Sequence, residues 1–286
     1  MAEPVRLPED CVPESERSAV TRLYPTANTW HAMRDQAAED AAEEPILASL
    51  LSASVLRHDR FADALSYRLA AKLADGDVPA MIWREVACEA YAEDEGLVTA
   101  ALADAEAYLD RDPACRNALQ PFLHFKGYAA IQAQRLSGWL WGRGREALAL
   151  YVQSRSSELF QVDIHPAARL GRGLFFDHAT GIVIGETASV GDNCSLLHSV
   201  TLGGTGKEDE DRHPKLGRGV LIGAGAKVLG NIEVGDGAKV ASGSVVLSPV
   251  PPYCTVAGVP ARAVGRCAQA AGEAMDQRFM DALGEA

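Results

Sequence analysis

Leu216-Gly-Arg-Gly-Val-Leu-Ile222-Gly-Ala-Gly-Ala-Lys-Val228-Leu-Gly-Asn-Ile-Glu-Val234-Gly-Asp-Gly-Ala-Lys-Val240-Ala-Ser-Gly-Ser-Val-Val246 places an aliphatic residue at every sixth position. A period of six fits neither a helix, at about 3.6 residues, nor a lone strand, at about 2. It fits a chain that turns a corner after each short strand and buries one aliphatic side chain per side. Upstream, Ile184, Val190, Leu196 and Leu202 keep the same spacing, as do Ile164, Leu170, Phe176 and Ile182. Gly171, Gly185, Gly191, Gly217, Gly223 and Gly235 each follow one of these residues directly. The pattern predicts a parallel β-helix over about 162–258, with three hexads to a triangular coil of about eighteen residues.

The register breaks twice. The first break falls around Thr180–Gly185, just after Asp177-His178. The second lies between Leu202 and Leu216 and holds Gly203-Gly-Thr-Gly-Lys-Glu-Asp-Glu-Asp-Arg-His-Pro214. A solenoid absorbs such an insertion by extruding it, which predicts a loop over 203–215, where sites tend to sit.

Before residue 160 the chain is Ala-rich with helical periodicity. Thr29 is the expected N-cap of a helix starting at Trp30 and ended by Pro45. Asp59 is the expected cap of another, in which Leu65, Leu69 and Leu73 repeat at i+4 and Gly76 closes the end. Segments 79–92 and 97–110 read the same way. Asp112-Pro113 breaks the pattern, and further helices are expected through 121–141 and 145–160. The organisation predicted is α+β: a disordered 1–20, an all-α domain over 21–160, the β-helix over 161–262, and a tail over 263–286 with a short helix at Gln269–Leu283.

The net charge of −12 argues against a nucleic-acid partner and means that an anionic ligand must be held by local basic residues. No apolar run approaches the roughly 20 residues of a membrane span. The acidic N-terminus has no apolar core and resembles neither a secretory signal nor a basic transit peptide. The six cysteines form no C-x-x-C pair, and reduced thiols in a cytoplasmic protein are expected.

His178, beside Asp177 at the first break, is the candidate general base. Asp163 lies fifteen residues earlier, somewhat less than one coil, where a carboxylate could orient the imidazole. Arg212 can clamp a carboxylate with two parallel hydrogen bonds, while Asp112 and Asp177 can hold an ammonium group. A site with both signs suits an α-amino acid. Gly203-Gly204-Thr205-Gly206 is not a phosphate-binding P-loop, because Lys207 is followed by Glu208. It instead offers close backbone approach and amides for an oxyanion. Lys227, Lys239 and Arg262 are the basic residues placed to meet phosphates.

Hexapeptide repeats recur in many acyltransferases, but several segments here are more specific. Val-Asp-Ile-His-Pro (162–166), Asp-His-Ala-Thr-Gly (177–181), Val-Thr-Leu-Gly-Gly-Thr-Gly-Lys (200–207), Asp-Arg-His-Pro-Lys (211–215) and Gly-Val-Pro-Ala-Arg (258–262) together resemble the serine acetyltransferases. The resemblance extends over about residues 28–265. It implies a left-handed β-helix, trimers whose clefts hold the active sites, and helical domains that pair trimers into hexamers. It makes His178 the base, Asp163 its partner, and Asp112, Asp177, Arg212 and His213 the binders of L-serine. Acetyl-CoA would lie near Gly204, Thr205, Gly206, Ala224, Lys239 and Arg262, and no metal is required. Inhibition by cysteine is a common trait of the family. Many members dock a terminal isoleucine into O-acetylserine sulfhydrylase. This chain ends in Ala286, which would fill an apolar pocket poorly and counts against that partnership.

Three other readings compete. The acceptor could be homoserine or a sugar, although Arg212 and the helical half favour an amino acid. A β-helical carbonic anhydrase would hold zinc with three of His165, His178, His198 and His213. A non-catalytic scaffold would have no use for the Asp163/His178 pair.

Overall fold

The structure, a computed structural model, describes residues 28–206 and 209–264. The expectations for 1–20 and for a helix at Gln269–Leu283 lie outside the described residues. Helix α1 (Thr29–Glu43) leads through a 3₁₀ turn at Pro45–Leu47 into α2 (Ala48–Leu51) and a π turn at Ser52–Leu56. There follow α3 (Phe61–Leu73), α4 (Ala80–Glu93), α5 (Glu95–Arg111), α6 (Leu119–His124), α7 (Lys126–Gly142) and α8 (Glu146–Phe160).

Three local expectations need correction. Thr29 is the first residue of α1 rather than its cap, because its hydroxyl donates to Glu106 on α5. Asp59 caps nothing: α3 starts after Arg60 with no side-chain cap, while the Asp59 carbonyl accepts from Trp30 Nε1 at 2.9 Å. That helix ends at Leu73, short of Gly76. The single helix expected over 121–141 is two, because Phe125 is extended at φ −86° and ψ 118°. One cap that sequence reading did not select is Asp94, whose carboxylate accepts from Gly96 N at 2.9 Å at the start of α5.

Left-handed Gln161 (φ 57°) ends α8 and turns the chain into the solenoid. Its first face stacks β1 (Val162–Ile164), β4 (Ile182–Ile184), β7 (Thr201–Gly203), β10 (Lys227–Leu229) and β13 (Val245–Val246). The second stacks β2 (Arg169–Leu170), β5 (Ser189–Val190), β8 (Lys215–Leu216) and β11 (Glu233–Val234). The third stacks β3 (Phe175–Asp177), β6 (Ser195–Leu197), β9 (Leu221–Ile222), β12 (Lys239–Val240) and β14 (Thr255–Gly258), and β15 (Ala261–Val264) closes it antiparallel. Ile184, Leu196, Leu202, Ile222, Val240 and the other hexad residues are buried in the coil interior, apart from the half-buried Leu170. Each fully buried aliphatic side chain of this kind contributes about 1.5–3 kcal/mol.

Strand pairing locates both breaks. Val183 pairs with Thr201 and Lys227 with Val245, giving regular coils of eighteen residues. Phe176 pairs with Leu196, twenty residues on, and Leu202 with Val228, twenty-six residues on. The first insertion sits at His178-Ala179, slightly earlier than the spacing indicates, where both residues are left-handed (φ 54° and 60°). The second is the extruded segment between β7 and β8.

Cys88, Cys115 and Cys194 are free thiols, but Cys254 is disulfide-bonded, which corrects the expectation of six reduced cysteines. Spacing alone cannot show which cysteines approach one another. Among the described residues, no helix is long and apolar enough to cross a membrane.

Candidate active site

The corner between the third and first faces carries the insertion. Two consecutive left-handed residues cost about 1–2 kcal/mol each for L-amino acids, so surrounding bonds must hold the bulge. Ala179 N donates to Asp177 O at 2.6 Å and Thr180 N to His178 O at 2.8 Å. Lys126 Nζ donates to Thr180 Oγ1. The bulge leaves the His178 side chain 78 % exposed, with Nε2 3.7 Å from Asp177 Oδ1. Asp112, which caps the end of α5, is an electrostatic neighbour of Asp177. Burial pushes the Asp177 carboxyl above its ordinary pKa; His178 opposes that rise and Asp112 adds to it. One coil below, His198 stands edge-on to His178, ring centroids 6.1 Å apart. The same corner continues to Ala224: Gly225 N donates to His198 O at 2.9 Å and Gly243 N to Ala224 O at 2.8 Å.

Arg212 and His213 lie on a different corner, between the first and second faces, at the end of the extruded loop. Arg212 Nη2 pairs with Glu186 Oε2 at 2.6 Å, and its Nη1 donates to the carbonyls of Asp209 and Glu210 at 3.0 and 3.1 Å. His213 is buried. Its Nδ1 accepts from Thr187 N at 3.2 Å, which leaves the proton of the neutral ring on Nε2. Thr187 Oγ1 accepts from the backbone N–H of both Arg212 and His213 at 3.1 Å. Burial first, then the Arg212 charge, lowers the His213 pKa. A Cβ built on Gly185 would stand 2.0 Å from His213 Nε2, so only glycine leaves room for this ring.

Asp163 belongs with this second group. Its Oδ1 accepts from Gln153 Nε2 at 2.7 Å, and it is an electrostatic neighbour of His165, which stacks edge-on to Trp141 at 5.1 Å. Among the described residues, one copy of the chain forms no hydrogen bond between Asp163 and His178. It therefore gathers Asp112, Asp177 and His178 at one edge of the first face and Arg212 and His213 at the other, with Asp163 mid-strand on β1 between them.

The remaining candidates are spread along the solenoid. Gly204 approaches the Arg212 side chain, Thr205 and Gly206 are exposed in the loop, Lys239 is on β12, and Arg262 is exposed on β15. Lys227 is committed elsewhere, its ammonium donating to Ser199 O. Sequence reading missed Glu186 and Thr187, the fixtures of Arg212 and His213. Only their position one coil before the loop, at the same corner, could have drawn attention to them. Among the described residues, no three His, Cys, Asp or Glu side chains are grouped to hold a metal ion. The four histidines of the zinc reading divide between the two corners.

Residues 29–133 match the model for the serine acetyltransferase N-terminal domain, and residues 213–248 match the bacterial transferase hexapeptide (six repeats) model. A serine acetyltransferase of Salmonella typhimurium is 55% identical over 237 residues, covering 83% of this chain and 87% of the relative. The chain belongs to the serine acetyltransferase family. Its solenoid is accordingly a left-handed parallel β-helix of hexapeptide repeats. A Brucella abortus serine acetyltransferase solved in complex with coenzyme A superposes with a TM-score of 0.83 at 50% identity, covering 85% of this chain and 97% of that one. A Neisseria gonorrhoeae serine acetyltransferase in complex with serine superposes with a TM-score of 0.81 at 50% identity, covering 83% and 98%.

Proposed function

We propose that His178 is the general base of a serine O-acetyltransferase whose active sites are each shared by two copies of the chain. The reaction moves the acetyl group of acetyl-CoA to the hydroxyl of L-serine and yields O-acetyl-L-serine and CoA, the first step from serine towards cysteine. The observation that carries the reading is the two-residue bulge that pushes the His178 imidazole out of the solenoid beside Asp177 and Asp112.

Serine's hydroxyl is a poor nucleophile at neutral pH and needs a base within hydrogen-bond reach. His178 takes the hydroxyl proton as the oxygen attacks the thioester carbonyl. Backbone amides stabilise the oxyanion, and collapse of the tetrahedral intermediate breaks the carbon–sulfur bond. The CoA thiolate then recovers the proton from His178. Asp112 and Asp177 hold the substrate ammonium, and Arg212 and His213 its carboxylate. The raised pKa of Asp177 suits a carboxylate whose ionised form is stabilised by an incoming cation. Acetyl-CoA runs down the corner below His178 past Ala224 towards Lys239 and Arg262, and Gly204, Thr205 and Gly206 approach from the loop.

Both charged clamps must reach one amino acid, yet they stand at opposite edges of one face. A neighbouring copy in a trimer resolves this by setting its Arg212/His213 corner against the His178 corner of the first, and it brings Asp163 towards His178 in the same movement. A cytoplasmic location fits the use of acetyl-CoA.

Thiol release from acetyl-CoA tests the reaction, with L-serine as acceptor and homoserine and a galactoside as controls. Release with serine alone is expected, and equal release with a control would overturn the acceptor assignment. Co-refolding His178→Ala with Arg212→Ala protein tests the sharing. Each variant alone is weak, and the mixture should recover activity because some mixed interfaces carry both native residues. A mixture no better than its components would place the whole site within one chain.

A further inference from the structure

Among the described residues, strand β3 is the edge strand of the third face, hydrogen-bonded along one side to β6 and without a strand on the other. Helix α5 completes that open edge with side chains. Leu174 N donates to Asp104 Oδ1 at 2.9 Å, and Arg111 Nη1 donates to Gly173 O at 3.0 Å. Between them, Tyr108 uses its hydroxyl twice: it donates to Phe176 O at 2.9 Å and accepts from Phe176 N at 3.2 Å. The phenol thus replaces the missing neighbour strand at the residue immediately before Asp177-His178. Tyr108 is 2 % exposed, its ring edge-on to Phe175 at 4.8 Å, and burial holds its hydroxyl well above the ordinary tyrosine pKa. The group is therefore neutral and able to donate and accept together.

The same hydroxyl is packed against α7. A Cβ built on Gly127 would lie 2.2 Å from Phe176 O, 2.6 Å from Tyr108 Oη and 3.1 Å from Ala179 Cβ. Tyr108 and Gly127 together form the floor under the left-handed pair His178-Ala179. One turn beyond Tyr108 on its own helix is Asp112, whose N–H donates to Tyr108 O at 2.9 Å. One side chain thereby ties the strand that carries Asp177 and His178 to the helix that carries Asp112.

We propose that Tyr108 is a positioning residue of the acetyl transfer, setting His178 and the Asp112–Asp177 pair in register through the backbone of Phe176. The proposal rests on His178 being the base. A misplacement of about 1 Å costs up to roughly 100-fold in rate, and Tyr108→Phe deletes both hydrogen bonds while keeping the ring.

The control is built into the fold. Tyr128 is equally buried, stands edge-on to Tyr108 at 6.2 Å, and donates to Ala101 O at 3.1 Å inside the helical half. Both Tyr→Phe variants lose a buried hydroxyl contact and both should melt earlier. Tyr108→Phe alone should lower kcat with serine roughly 10- to 100-fold at unchanged KM for acetyl-CoA, and should speed amide hydrogen exchange at residues 176–181. Wild-type kcat in folded Tyr108→Phe protein, or equal losses in the two variants, would overturn the proposal. If the wild-type chain releases no thiol with serine, the reading of His178 fails instead. Exchange at 176–181 then still decides whether Tyr108 fixes that corner.

Discussion

At one edge of the first solenoid face, the His178 side chain stands 78 % exposed on a left-handed bulge, with the Asp177 carboxylate 3.7 Å away. At the other edge, His213 is 7 % exposed, with its tautomer set by the Thr187 backbone and its ring seated over a glycine. Both imidazoles come from insertions into the same repeat, yet one is presented and the other enclosed. The difference matches the division of labour proposed for them. A base must reach a substrate proton and shed it again, so it needs freedom and solvent. A residue that orients a carboxylate works through fixed geometry. In the open corner the backbone around the side chain is held tightly; in the closed corner the side chain itself is.

The largest effect should come from the open corner. His178→Ala should lower turnover by roughly the 10²–10⁴-fold of a lost general base, with little change in melting temperature, because an exposed side chain contributes little packing. Steady-state kinetics beside thermal unfolding separates the two readouts. A large drop in melting temperature would mean that the imidazole is structural, and the contrast between the corners would collapse.

Gly185→Ala attacks the closed corner. The new methyl would meet His213 Nε2 at 2.0 Å, and the ring cannot retreat without leaving Thr187. Overpacking of this kind costs about 1–3 kcal/mol. The expected result is a lower melting temperature together with a raised KM for serine, since Arg212 shares Thr187 with His213. Serine KM unchanged in the folded variant would detach this corner from substrate binding.

The two corners were unequally legible in the sequence. Period six gave the solenoid, because one aliphatic residue per side is a demand of the coil interior itself. The breaks in that period pointed to the His178 region and to the 203–215 loop, because an insertion must leave a solenoid by a corner. The distribution of the site residues over the corners was not legible. Asp163 and His178 look close at fifteen residues apart, but Asp163 sits mid-strand on β1, held by Gln153, while His178 stands out on the corner bulge. Tyr108 and Gly127 carried no signal either, because their role depends on which edge of β3 lacks a strand. Helix ends failed for a related reason: Thr29 found a tertiary partner in Glu106 that outranked a local cap, and Phe125 split a helix whose periodicity continued across it.

The smallest expected effect is the stability of the closed corner as a function of pH. Burial lowers the His213 pKa, with the cations Arg212 and Lys215 and the ring of His165 adding to the shift and Glu186 opposing it. The folded state therefore resists a proton that the unfolded chain accepts at about pH 6.5. Linkage gives the sign: stability is complete above that pH and declines as the pH falls towards the lower folded-state value. His213→Gln keeps an acceptor for Thr187 N–H but has nothing to protonate, so its melting temperature should fall less steeply below about pH 6.5. Asp177 works in the opposite direction. Its raised pKa favours the folded protein as the pH drops below that raised value towards the ordinary carboxylate range. The histidine effect therefore shows between about pH 6.5 and the carboxylate range, and a variant with the wild-type slope there would mean that the His213 ring is protonated inside the fold.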